Sequence, residues 1–221
     1  MAGERTVSSA FWIWSHLSFV LLAANFLLLM QRGRRGPRAR WASLSVLAFL
    51  GLLPVGHTDV SGFMLAHTGT LCVPILILML RELLAAEGLV LSQPPQIQRN
   101  TNLFWLACGV LLYPAALGFV AHDTYYFGYN SSMGWCVLGL SCVAMLCRHQ
   151  VLGICLAAAV LAHQLGLQES PNLWDYLIDP WLWIAAASHL IWMRFKPQPQ
   201  QIRSNSVTNG LPAMAILPQH R

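Results

Sequence analysis

Two short polar stretches place an imidazole beside a carboxylate: GHTDVSG carries His57 and Asp59, and HDTYYFGYN carries His122 and Asp123. Three such ligands around one zinc ion, with a water in the open position, would make a hydrolytic centre. The candidate metal ligands are His57, His67 and His122, with Asp59 and Asp123 as further ligands or acid–base groups. No HExxH or other fixed ligand spacing accompanies them, so the same residues also read as ordinary loop polar groups. His16, His67 and His163 fall inside apolar runs, each one to two turns from the same end. An ionisable side chain in such a run is costly unless it has a partner, which makes it a functional candidate. His67 and His163 at one depth on facing helices could ligate a b-type haem. Against both metal readings stands the plainer one, in which each ring hydrogen-bonds a neighbouring helix or sits at the headgroup boundary.

The carboxylates of LWDYLIDP separate into two roles. Asp179 immediately precedes Pro180, the order of a helix N-cap followed by proline at the first helical position. Asp175 has no such local role and joins the candidate site, which then comprises His57, Asp59, His67, His122, Asp123, His163 and Asp175. Tyr125, Tyr126 and Tyr129 could stack on a sugar or headgroup, or form part of an aromatic belt. His67 is expected to face inward toward His122 or Asp123. There is no G-x-S-x-G, Walker loop or G-x-G-x-x-G, which removes the corresponding enzyme classes.

The elements that must position these residues are apolar helices. The 221 residues are 56% hydrophobic and 10% charged, with a mean hydropathy of +0.54. That much apolar surface cannot be hidden in a soluble domain of this size, so the chain reads as an integral membrane protein with the lipid bilayer as its main partner. The six cysteines lie in apolar runs without a CxxC, which argues against a disulfide framework. Windows of about 20 apolar residues suggest seven transmembrane helices, near 10–30, 41–56, 62–84, 102–121, 132–147, 150–167 and 179–194. Pro74 and Pro114 are expected to kink the third and fourth. Residues 85–101 read as a polar connector, 1–195 as one all-α bundle and 196–221 as a disordered cytoplasmic tail.

Orientation follows from residues 31–40, QRGRRGPRAR, whose five arginines lie between the first two apolar runs and should stay inside. The N-terminus is then outside and the C-terminus inside. Every other Lys or Arg except Arg5 falls inside, and six of the eight acids fall outside. Because the basic residues lie at the ends of apolar runs, the net charge of +5 points to no nucleic-acid partner. The expected function is a binding or accessory role at an outward-facing polar cavity, engaging a small molecule, a lipid headgroup or a membrane-protein partner. The alternatives are a metal-dependent hydrolase or transferase acting on an outer-leaflet lipid, and a haem-binding membrane protein. The expected location is a bacterial cytoplasmic (inner) membrane.

Overall fold

The computed structural model describes residues 9–31, 37–121 and 123–195. His122 and the expected tail at 196–221 lie outside the described residues. The described chain is mostly helical, so the all-α expectation holds. Its nine α-helices are α1 (Ser9–Gln31), α2 (Pro37–Gly51), α3 (Val60–Thr68), α4 (Val73–Ala86), α5 (Pro95–Ala116), α6 (Ser131–Leu146), α7 (Gln150–Gln164), α8 (Leu173–Leu177) and α9 (Pro180–Phe195). A two-stranded hairpin of β1 (Pro54–Val55) and β2 (Thr58–Asp59) precedes α3, and a single 3-10 turn, Tyr126–Tyr129, precedes α6.

Each of the seven apolar runs contains helix, but the bounds differ in instructive ways. The third run is not one kinked helix. It is interrupted at residues 69–72, where Gly69 turns the chain out of α3 at φ 75° and Cys72 starts α4 from an extended conformation. Pro74 therefore lies in the first turn of α4, where its missing N–H would have had no helical partner anyway. Pro95 likewise opens α5, so much of the expected connector is helix. Among the described residues only α1, over Trp12–Met30, is both long and apolar enough to cross a bilayer by itself. Helix α6, at 16 residues, extends only about 24 Å, short of a hydrocarbon core of about 30 Å.

Packing places α4 centrally, against α1, α7, α8 and α9; α6 pairs with α7, α5 with α9, and α1 with α2 and α3. The contacts follow from small residues. Gly109 lets α5 approach the Trp183 ring so closely that an added Cβ would collide with it. Ala159 is fully buried in α7, and Ser141 of α6 donates to the Gly153 carbonyl of α7 at 2.7 Å. The exterior is apolar as well: Phe26, Phe49, Val110, Trp135 and Ile191 all stand more than half exposed on their helices.

Candidate functional site

An interrupted helix leaves backbone donors and acceptors without helical partners. Here side chains from distant elements take them up. The Leu71 carbonyl accepts from Trp14 Nε1 of α1 at 3.2 Å and from Gln168 Nε2 at 3.0 Å. The Thr68 carbonyl accepts from Trp181 Nε1 at 2.9 Å. Cys72 N–H donates to Asp179 Oδ2 at 2.7 Å, while Asp179 Oδ1 accepts from Leu182 N–H at 2.6 Å. Asp179 is 5% exposed, so one buried carboxylate caps α9, as its position before Pro180 implied, and also closes the start of α4.

Beside this joint, two loops interlock into a polar cap. Asp175 accepts from the Tyr125 hydroxyl, 3.0 Å to Oδ2, and from Ser170 Oγ. Burial, and then the neighbouring Asp175 carboxylate, push the Tyr125 phenol above its ordinary range, so it stays a donor. Asn172, fully buried, donates to the Tyr125 carbonyl at 3.0 Å and accepts from Trp174 N–H at 2.9 Å as the N-cap of α8. Trp174 Nε1 donates to the Thr124 carbonyl at 3.0 Å. The Tyr176 hydroxyl accepts from Gln168 N–H and donates to the Gln168 carbonyl, closing the loop before α8 on itself. Gly128 packs so tightly on Asn172 and Trp174 that any Cβ would overlap them.

Between the two loops lies a cavity of about 370 Å³, lined by Leu111, Asp123, Thr124, Tyr126, Phe127, Asn130 and Trp174. Asp123 Oδ1 accepts from the backbone N–H groups of Tyr125 and Tyr126, at 3.0 and 3.2 Å. Its Oδ2 takes no hydrogen bond from the described residues.

The remaining candidates disperse. His57 sits exposed at the tip of the hairpin, and Asp59 is the N-cap of α3, accepting from Gly62 N–H at 2.6 Å and Ser61 Oγ at 2.7 Å. His67 does not face the interior as expected. The buried face of α3 carries Ser61 and Leu65, one turn apart, which leaves position 67 outward. Its Nδ1 lies 2.8 Å from the Phe63 carbonyl of its own helix, so the ring needs no wet cavity to be satisfied. His163 Nε2 lies 3.1 Å from the Pro171 carbonyl, with the ring edge-on to Tyr176.

Among the described residues no three His, Cys, Asp or Glu side chains are grouped so as to hold a metal ion. The zinc set of His57, His67 and His122 therefore has no assembled centre there, with His122 itself outside the described residues. A haem pair would need both imidazoles turned into one interior gap, and His67 is turned out.

What the structure assembles is Asp175 with Tyr125 and Asp123 with aromatic rings. Sequence reasoning missed Gln168, Ser170, Asn172 and Trp174, although the Ser-Pro-Asn before an apolar turn is a helix-start signal that bears on Asn172. No family model, curated protein or solved structure matches this chain.

Proposed function

We propose that the chain is a polytopic helical membrane protein, N-terminus out and C-terminus in, that binds a small molecule or lipid headgroup at its outer face. The membrane part rests on the apolar exterior: exposed large hydrophobics recur along α1, α2, α5, α6 and α9, the kind of surface that marks a membrane or partner contact. Short helices such as α6 are accommodated by local bilayer thinning, at a modest cost per ångström. The interrupted third span fits as well, because non-helical backbone at membrane depth is tolerated where protein groups satisfy it. The bacterial cytoplasmic membrane is the proposed host.

The observation that carries the binding role is the cavity at Asp123. Concave, mainly apolar sites with a few fixed polar groups are where small ligands bind, at roughly 300 Å³ and above. The two loops that shape it are tied together by part-buried hydrogen bonds from Tyr125, Asn172 and Trp174. A lipid or a membrane-protein partner approaching along the outer boundary would meet this cap first.

Topology is the first test. A reporter active only outside should work when fused after His57, Asp123 or Trp174, and stay silent after Arg35, Gln96 or Arg203. One active fusion at Gln96 overturns the arrangement.

A further inference from the structure

We infer that the ligand of the Asp123 cavity carries an ammonium group, an inference that rests on the reading of this cavity as an outward-facing binding site. The two backbone N–H groups on Asp123 Oδ1 fix the carboxylate's orientation and leave Oδ2 with no protein donor among the described residues. No Lys, Arg or His is among the described lining residues, so none of these offsets the Asp123 charge. Phosphates and carboxylates are repelled there.

Two side-chain donors of the wall, on Thr124 and Trp174, are already committed. Thr124 Oγ1 donates to the Leu111 carbonyl at 3.0 Å, and Trp174 Nε1 to the Thr124 carbonyl. The rings of Tyr126, Phe127 and Trp174 thus offer π surface beside one carboxylate oxygen. That pairing suits an organic cation: aromatic faces attract ammonium groups through the ring quadrupole, more strongly as the site is desolvated. A free alkylammonium solute and the headgroup of a zwitterionic lipid share this chemistry.

The experiment uses the full chain in nanodiscs of phosphatidylglycerol alone, titrated calorimetrically with choline, with its neutral isostere 3,3-dimethylbutanol, with glucose and with glycerol 3-phosphate. Choline should bind at least tenfold tighter than the isostere. Asp123→Asn, which keeps the Oδ1 acceptor for the two amides, should lose at least tenfold in choline affinity with unchanged thermal unfolding. In nanodiscs of phosphatidylcholine, weakened choline binding identifies a lipid headgroup as the competing occupant, and unchanged binding identifies a free solute.

Equal affinity for choline and the isostere, or an Asp123→Asn variant that binds choline as well as the parent, overturns the ammonium assignment. Binding of glucose alone, with Asp123 reachable from outside, overturns the assignment while the outer-site reading stands. No binding by any of the four probes, together with an inactive reporter at Asp123, overturns both.

Discussion

At the scale of single residues, Asp179 is the clearest case of one side chain doing two jobs. Its oxygens accept from amides that belong to α4 and α9, at 2.7 and 2.6 Å. A buried donor left without its charged acceptor costs about 1–3 kcal/mol, so Asp179→Ala should destabilise the protein by roughly 3 kcal/mol. Asp179→Asn, with one acceptor oxygen, should lose about half as much. Thermal unfolding in mild detergent checks both, and an alanine variant as stable as the parent removes the assignment. The cap on α9 was legible because Asp-Pro is a local signature. The bond to Cys72 was not, since its donor is a backbone amide 107 residues away with no side-chain signal. His67 shows the converse error: an imidazole in an apolar run suggested an interior partner, yet its own helix supplies one.

Among the elements, the third apolar run divides where composition alone could not say. Residues 69–72 are as apolar as their flanks, and only Gly69 and the placement of Pro74 hint at the interruption. Helix starts at Pro95, Asn172 and Pro180 carry capping residues or prolines and so could be read in advance; pairings such as α5 with α9 depend on a close approach at one glycine and could not. The two loops of the polar cap meet at Gly128, against Asn172 and Trp174. Gly128→Ala should therefore cost about 1–3 kcal/mol, the range for overpacking a filled contact. Gly134→Ala, in α6 where nothing lies within 4 Å of the added Cβ, should be neutral or stabilising by about 0.5–1 kcal/mol. The sign difference between two neighbouring glycines is the diagnostic; equal effects in a thermal-unfolding comparison would show that the cap is not tightly seated.

For the whole molecule, the proposed orientation rests on charge placement, because positively charged flanks orient apolar segments without any tertiary contact. Neutralising all five arginines of residues 31–40 should scramble orientation, seen as reporter activity at both Gln96 and Asp123; a single retained orientation would show that another segment sets it. What charge and hydropathy could not supply was the convergence of the candidates, which depends on which way each helix face turns.

The joint at residues 69–72 also has a history in time. Trp14 is already present when Leu71 is made, but Gln168, Asp179 and Trp181 are not. At roughly 5–20 residues per second, the Cys72 amide waits about 5–20 s for Asp179. Through that interval the start of α4 must borrow water or passing partners. Helix α9 therefore arrives as the keystone of an arch whose centre stones were laid much earlier.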